Sequence, residues 1–293
     1  MKKRRPGILY VVFVIAFIVL LAGMNSMILL GIDDTEKFVK SDRSFESNSR
    51  VFLNLSELET YSDLSESLYV GGWAFCETES NNADKAYDII LQNEDNTYIV
   101  HAKAVTRRDV GGNVGGKKVA STLNGIEVRA STIGVKDGTY RLLIHVWENE
   151  DNYGLIDTGF KIIKSKDQFE ELKYELITAP VNAEISEAVK KNAKVALQND
   201  VLRISGWCFI EELDTDNQEV MIMTQTTDGE RIYSARKGSR LDVMTHFEND
   251  DYLYSGFEVE IPDWEGIEAY AVCIKVGDEV LRTEWEAIDL PLE

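Results

Sequence analysis

The chain has 293 residues, with 51 Asp and Glu against 31 Lys and Arg, so its formal net charge is −20 at pH 7. A surface this acidic repels nucleic-acid phosphates and anionic lipid headgroups, which argues against nucleic acid as a partner. The charge is explained by the solubility of an exported domain; the alternatives are a partner with basic groups or bound Ca²⁺.

Residues 1–32 predict a cytoplasmic tip and a membrane anchor. Basic residues at 2–5 precede an uncharged stretch whose apolar part, 8–30, is long enough to cross a bilayer core of ~30 Å. Basic residues stay on the cytoplasmic side, so we expect a single-pass protein of the cell membrane with its C-terminal bulk extracellular. The alternative is a cleaved signal peptide, for which residues 21–26 offer a poor cleavage site. The polar, acidic residues 33–49 predict a stalk.

The pattern Gly-Trp-x-Phe occurs twice, at residues 72–75 and 206–209. Three further matches follow each copy in the same order: Arg-x-Asp-Val at 107–110 and 240–243, a glycine-led strand at 125–128 and 256–259, and an alternating strand at 140–146 and 270–276. Repetition at a domain-sized interval predicts one module carried twice. We place the modules at residues 50–164 and 180–293. The linker at 165–179 has apolar residues at helical spacing, which favour a short connecting helix.

Period-two alternation predicts that both modules are all-β. Tyr140, Leu142, Ile144 and Val146 alternate with mostly polar neighbours, as expected for a strand with one buried face. Short strands separated by Asn-, Asp- and Gly-rich turns predict two tandem Ig-like or jelly-roll-like β-sandwiches in the ectodomain.

The Gly-Trp-x-Phe strand departs from the expected alternation. Leu202 and Ile204 lie on one phase of the strand, whereas Trp207 and Phe209 lie on the other. A β-bulge at Gly206 would turn all four side chains inward, since glycine within a strand often marks such a site. We therefore predict that the tryptophan of each copy fills its sandwich core. The alternative is an exposed ring that stacks on sugars.

The chain carries no recognisable catalytic motif. The histidines His101, His145 and His246 form no metal-ligand pair, and His145 falls on the outward phase of its strand, where we expect it to be solvated. No Gly-x-Ser-x-Gly nucleophile elbow is present. The glycine-rich run 111–118 has Lys118 where a phosphate-binding loop needs Ser or Thr, so it indicates a flexible loop. We predict that the protein is not an enzyme and has no catalytic residues, cofactor or metal.

The three cysteines, Cys76, Cys208 and Cys273, do not occupy equivalent positions in the two modules. Because no disulfide framework is shared, we expect free thiols, with a Cys208–Cys273 disulfide as the alternative. Low reliance on disulfides is more typical of a Gram-positive surface protein than of a secreted eukaryotic one.

The repeated motifs resemble those of a β-sandwich module of bacterial surface-glycan proteins, which accompanies glycosyltransferases and related polysaccharide or teichoic-acid assembly proteins. The first copy departs from the pattern, because Ile126 stands where phenylalanine is expected. The residues of the second copy that match are Gly206, Trp207, Phe209, Arg240, Asp242, Val243, Gly256 and Phe257.

The resemblance implies an accessory or binding role, since the chain has no transferase domain. We expect a non-catalytic, membrane-anchored, extracytoplasmic protein that binds or organises cell-surface glycan or its assembly machinery. The alternative is a structural protein-interaction ectodomain or a sensor subunit of a membrane complex.

Six residues are candidates for ligand contacts. Four are aromatic and are expected to offer a stacking surface. The other two are arginines of the Arg-x-Asp-Val motifs, which either contact the ligand or form structural ion pairs with the nearby aspartates. The candidates are Tyr252, Tyr254, Trp264, Trp285, Arg107 and Arg240.

Overall fold

The computed structural model describes residues 36–61, 66–77, 85–108, 110, 112–114, 117–119, 123–166 and 168–290. Within these residues the chain forms 23 β-strands, one six-residue α-helix and one short 3-10 helix. The prediction of an all-β fold is confirmed for this part of the chain. The predicted anchor lies outside it, and none of the described helices is long and apolar enough to cross a membrane.

Twelve of the described strands belong to the N-terminal module. They are β1 (Glu36–Lys37), β2 (Val39–Lys40), β3 (Val51–Tyr61), β4 (Ser67–Cys76), β5 (Ala86–Gln92), β6 (Thr97–Val105), β7 (Gly112–Val114), β8 (Lys117–Val119), β9 (Gly125–Ser131), β10 (Gly138–Asn149), β11 (Asn152–Ser165) and β12 (Gln168–Glu171). One sheet has the order β12-β11-β10-β5-β6-β9-β4-β3, with β1 beside β9 and β2 beside β6, while β7 and β8 pair antiparallel with each other. The inward faces of β4, β5, β9 and β10 share one apolar core.

The C-terminal module contains the remaining described strands and a helix, α1 (Leu241–His246). The strands are β13 (Glu175–Leu176), β14 (Glu184–Ile185), β15 (Val189–Gln198), β16 (Val201–Ile210), β17 (Glu219–Thr226), β18 (Gly229–Ser234), β19 (Arg236–Gly238), β20 (Gly256–Ile261), β21 (Ile267–Val276), β22 (Glu279–Arg282) and β23 (Glu286–Ala287). One sheet has the order β13-β18-β17-β21-β22-β14 with β23 beside β21, and the other has the order β15-β16-β20-β19. The two sheets share a core to which Leu202, Ile222 and Val272 contribute.

The segment from residue 36 to 49, predicted as part of the stalk, is packed on the N-terminal module. β1 pairs with β9 and β2 pairs with β6, and Phe38 between them is buried in the module core. Phe45 packs on the outer face of the sheet beside Leu143. The segment is polar on average, but burial of these two phenylalanines stabilises its contact with the sheet.

The helix predicted in the linker is not formed in the described part of the chain. Gln168–Glu171 pairs with β11 as β12, and Glu175–Leu176 pairs with β18 as β13. Strand edges offer main-chain hydrogen bonds, and a helix this short is marginal in water. Pairing with the two edges therefore outweighs the helical spacing of the apolar residues.

β16 contains no bulge at Gly206, contrary to our prediction. The strand pairs in continuous register with β15 and β20, so Leu202 faces the core while Trp207 and Phe209 face outwards. β4 alternates in the same way, with Trp73 on its outer face. The prediction that the motif tryptophans fill the sandwich cores is therefore wrong.

A close approach between strands explains the glycine of the motif. A Cβ on Gly206 would lie 2.0 Å from the carbonyl oxygen of Asn192 in β15, and a Cβ on Gly72 would lie 2.3 Å from that of Asn54 in β3. Any larger residue would push the paired backbones apart, because the obstructing atoms belong to the main chain. The register shift between β3 and β4 lies in β3, between Leu55 and Glu57, not at the glycine of β4.

Candidate functional site

The first Gly-Trp-x-Phe motif forms part of the interface between the two modules. The rings of Trp73 and Phe75 are stacked, with centroids 5.6 Å apart. Leu253 and Tyr254 of the second module cover them, and all four side chains are buried in one cluster. The outer face of β4 is thus a docking surface for the second module.

The second motif is covered by its own module. The rings of Trp207 and Phe209 are stacked, with centroids 5.6 Å apart. Val243 of α1 and Tyr252 pack over them, and the Tyr252 ring lies 3.9 Å from that of Phe209. The segment from residue 241 to 254 therefore lies between the outer aromatic faces of both modules.

The other repeated motifs meet at the same two places. Gly125 is registered opposite Trp73, and Gly256 is registered opposite Trp207. A Cβ on these glycines would lie 2.6 Å and 2.9 Å, respectively, from Cγ of the arginine that begins the Arg-x-Asp-Val motif of the same copy. The repeat thus encodes one packing unit, in which tryptophan, glycine and arginine occupy adjacent positions.

An arginine from the first module binds an acidic cluster of the second. Arg50 lies 2.8 Å from Asp214, 2.7 Å from Asp216 and 3.5 Å from Asp251, and its side chain is 13% exposed. Burial lowers the pKa of Arg50, but the hydrogen bond and charge of Asp216 and the charge of Asp214 outweigh it, so the pKa lies above its ordinary value. Charge-assisted hydrogen bonds around a largely buried arginine help to fix the relative position of the modules.

Two hydrogen bonds to the main chain of β3 reinforce this contact. The Tyr254 hydroxyl donates to the carbonyl of Val51, and the Ser239 hydroxyl donates to the carbonyl of Leu53 at 2.5 Å. Burial raises the pKa of Tyr254, which keeps its hydroxyl protonated and able to donate. Apolar packing and polar contacts therefore act on the same strand.

A cleft of about 1440 Å³ lies between the modules. One wall is formed by the start of β3 and by β11, and the other by the outer faces of β15, β16, β19 and β20. The wall carries both aromatic rings and polar groups. Its aromatic residues are the half-buried Phe160, Tyr174 and Trp207 and the buried Tyr254 and Phe257, and its polar residues include Asn54, Asn192, Lys194, Ser205, Arg236 and Glu258.

Arg236 connects the two walls of the cleft. Its guanidinium lies 4.2 Å from the ring centroid of Phe160, which belongs to the first module. It also pairs with Glu258 at 2.9 Å and with Glu171 at 3.4 Å, and Glu258 binds Arg203 in turn. Two carboxylates and a ring face hold the Arg236 guanidinium, so its position is already fixed before a ligand binds.

Lys237 lies deeper between the modules. Its ammonium group donates to the carbonyls of Thr215 at 2.5 Å and Asp216 at 3.1 Å. Burial lowers the pKa of Lys237 more than the surrounding carboxylates raise it. Gly159 of β11 approaches so closely that a Cβ would lie 2.7 Å from the Lys237 carbonyl oxygen, and its φ of +77° is one that glycine adopts freely.

The structure does not bring the six predicted ligand residues together. Tyr252 and Tyr254 are buried, and their rings contact other side chains of the protein. Trp264 packs beside the core of the second module, and Trp285 packs on the outer face of its larger sheet, with Arg282 5.3 Å from the ring. Of the aromatic candidates, Tyr254 lines the cleft.

The two predicted arginines lie at equivalent places. Arg240 binds Asp242 through two bonds of 2.8 Å and 2.5 Å, which is the structural ion pair that we favoured over a ligand contact, and it also lines the cleft. Arg107 donates to the Gly72 carbonyl at 3.4 Å. Asp109 lies outside the described residues.

Sequence reasoning missed most of the cleft. Phe160, Tyr174 and Arg236 belong to no motif, and Asn192 is one polar residue among many. These residues lie near one another only because the two modules dock. Their positions in the chain therefore do not indicate that they share a site. The motif does indicate that Trp207 is important, but it predicts a core position and not the outer face.

His145 is not solvated, contrary to our prediction. Its strand phase is outward, yet the side chain is 3% exposed because Phe45 and Tyr153 cover it, with ring centroids 5.1 Å and 6.3 Å away. Its Nδ1 lies 3.4 Å from Asp88, which also pairs with His101. Outward phase does not imply exposure where another segment crosses the sheet.

The cysteines and the acidic residues offer little chemistry. Cys76, Cys208 and Cys273 are free and buried, which confirms the prediction of free thiols. Burial raises the pKa of Cys76 and of Cys273 to about 12, so neither thiol is reactive near neutral pH. Across the described ranges, no group of three or more His, Cys, Asp or Glu residues is placed to hold a metal ion.

No protein-family model matches the chain, and no curated protein is significantly similar to it.

Proposed function

We propose that the protein is a non-catalytic, membrane-anchored, extracytoplasmic protein whose two tandem β-sandwiches bind or organise cell-surface glycan or its assembly machinery. The observation that carries this proposal is the cleft between the modules, which combines aromatic rings with hydrogen-bonding side chains. The apolar stretch at residues 8–30 is the proposed anchor, and it places the cleft outside the cytoplasm.

The composition of the cleft wall suits a sugar. A sugar ring presents apolar C–H faces and a rim of hydroxyl groups, so it binds best where ring faces and polar groups alternate. Trp207 is half-buried at the wall, and Asn192 is registered directly opposite it on the neighbouring strand and is exposed. The Trp207 ring packs against Phe209 and Phe247 and stays partly exposed, so an aromatic group and an amide lie side by side at the wall.

The fixed geometry of the cleft also supports binding. Arg50, Tyr254 and Ser239 hold the second module against β3, and Arg236 is held by Glu258 and Glu171. Groups that are already ordered lose little entropy when a ligand binds. The open form of the cleft admits a segment of a polymer as well as a small ligand.

The test measures binding of the full-length chain, in detergent or lipid nanodiscs, to arrays of bacterial wall polysaccharides and teichoic acids. Asn192→Ala and Trp207→Ala are each expected to weaken binding about tenfold, equivalent to about 1.4 kcal/mol. Trp147→Ala is the matched control, because Trp147 is exposed on the first module away from the cleft and its loss should leave affinity unchanged. Absence of binding to every wall polymer, together with co-purification of a membrane protein, would instead support the protein-interaction ectodomain.

A further inference from the structure

A polar cluster is buried at the edge of the first module's core, and the cleft does not include it. Lys85 immediately precedes β5, Asn124 immediately precedes β9, and Glu148 lies near the end of β10. The side chains of Lys85 and Glu148 are 0% exposed, and Asn124 is fully buried. Burying a lysine and a carboxylate together costs free energy unless the charged groups have good hydrogen-bond partners. The burial of this pair therefore indicates a specific role.

The amine of Lys85 lies against the amide of Asn124. The distance from Nζ to Oδ1 of Asn124 is 2.5 Å. Because Cγ is bonded to Oδ1 at about 1.23 Å, the amide carbon lies within about 3.7 Å of Nζ. Atoms that are about to react in a well-oriented site stand about 3–3.5 Å apart, so a small adjustment brings the amine to its attack distance.

Glu148 is placed to move protons between these groups. Its Oε1 lies 2.8 Å from Nζ of Lys85 and accepts a hydrogen bond from the backbone N–H of Cys76 at 3.2 Å. Its Oε2 accepts from Nδ2 of Asn152 at 2.8 Å. With both oxygens held, the carboxyl group stays beside the lysine amine.

We propose that Lys85 and Asn124 condense to an intramolecular isopeptide bond, with Glu148 as the proton-transfer group. Glu148 takes one proton from the Lys85 ammonium, and the neutral amine attacks Cγ of Asn124. As the Nζ–Cγ bond forms, a second Nζ proton passes to Nδ2, the Cγ–Nδ2 bond breaks, and ammonia leaves with the proton that Glu148 held. The product is a neutral secondary amide, and the step needs no oxidant, reductant or cofactor.

The cross-link has a structural purpose. It joins the start of β5 to the start of β9, 39 positions apart, and so closes a loop that contains the glycine-rich run 111–118. Closing a loop of this length removes conformational freedom from the unfolded chain, as a disulfide does. The three cysteines are free, so the isopeptide bond would be the covalent staple of an exported module.

The test is the intact mass of the denatured full-length chain, followed by protease digestion and fragmentation mass spectrometry. We expect the wild type to be lighter than its sequence by one ammonia, and to release a branched peptide that contains both Lys85 and Asn124. Glu148→Gln is expected to retain the full mass or to lose ammonia many times more slowly. Lys164→Arg, which alters another buried lysine of the same module, is the matched control and should still lose ammonia.

A competing reaction is distinguished by Lys85→Arg. Asn124 precedes Gly125, and an Asn-Gly pair also loses ammonia when it cyclises on its own backbone. Loss of ammonia that persists in Lys85→Arg, without a branched peptide in the wild type, would overturn the proposal. A wild-type mass equal to that of the sequence would overturn it as well, and this measurement does not depend on whether any variant folds.

Discussion

Asp88 is the carboxylate that contacts the basic side chains on the outer face of the first sheet. Its carboxylate lies beside His145 and His101, and it pairs with Arg43 of the segment that crosses the sheet, at 3.2 Å. Burial raises the pKa of Asp88, but the nearby His145, the hydrogen bond with His101 and the charges of His101 and Arg43 outweigh it. The pKa of Asp88 therefore lies below its ordinary value.

A lowered carboxyl pKa makes the stability pH-dependent in a defined direction. The stabilisation is complete above the ordinary pKa of Asp, about 4, and is lost as the pH falls through the lower folded pKa. We expect wild type to have a higher Tm than Asp88→Asn at pH 6 and the difference to shrink below pH ~4. Thermal unfolding across pH 2–7 measures this, with Asp95→Asn, an exposed turn residue, as a control that changes little.

The Gly206→Ala variant tests the close approach between β15 and β16. In Gly206→Ala the new Cβ would lie 2.0 Å from the Asn192 carbonyl oxygen, so we expect a loss of about 1–3 kcal/mol of unfolding free energy. Gly238→Ala is the matched control, because its Cβ would meet no atom within 4 Å. Equal stability of the two variants in urea unfolding would contradict the packing argument.

At the scale of elements, the segment from residue 241 to 254 has two roles. Val243 and Tyr252 cover the aromatic face of their own module, whereas Met244 and Leu253 cover that of the other. The helix α1 is only six residues long and has no side-chain hydrogen bond at its N-cap, so packing rather than helix propensity stabilises it.

The Leu253→Ala variant measures how much this segment contributes to the free energy of unfolding. It is fully buried against Trp73, and Leu253→Ala is expected to cost about 2–5 kcal/mol and to increase the exposure of the tryptophan. Leu213→Ala removes the same group from an exposed loop and should change stability by less than about 0.5 kcal/mol. Denaturant unfolding followed by tryptophan fluorescence compares the two, and similar midpoints would show that the interface contributes little.

At the scale of the whole molecule, the two modules form a single body because aromatic, ionic and main-chain contacts coincide at β3. Arg50, Val51 and Leu53 are nearly consecutive in the chain, and each contacts the second module. Contacts concentrated at one strand couple the unfolding of the two modules, since separation breaks them together.

Arg50→Ala should weaken this coupling. Loss of its charged hydrogen bonds is expected to cost about 1.5–3 kcal/mol and to separate thermal unfolding into two transitions. Arg141→Ala is the control, because Arg141 is 54% exposed and pairs with Asp157 of its own module, where the expected effect is about 0–1 kcal/mol. Differential scanning calorimetry distinguishes the outcomes, and a single unshifted transition in Arg50→Ala would contradict a role in coupling.

Much of the fold was accessible from the sequence, whereas little of the cleft was. The alternation in Tyr140–Val146 correctly indicated a strand, because side chains in any strand point to opposite faces. The same rule places Trp207 and Phe209 on the outer face. Our prediction that they are buried in the core was wrong because it assumed a β-bulge at Gly206. Phe160 and Arg236 carried no signal, since their contact depends on the docking of two separate modules.

The sequence by itself determined the all-β character, the repeated motifs and the absence of a shared disulfide pattern. These properties follow from local spacing, which the backbone geometry of a strand translates directly into structure. The tertiary structure alone decided what covers each outer face. An outward tryptophan has the same sequence pattern whether it meets water, its own helix or another module, because burial depends on partners distant in the chain. The Gly-Trp-x-Phe motif therefore marks an interface in the first module and a wall of the cleft in the second.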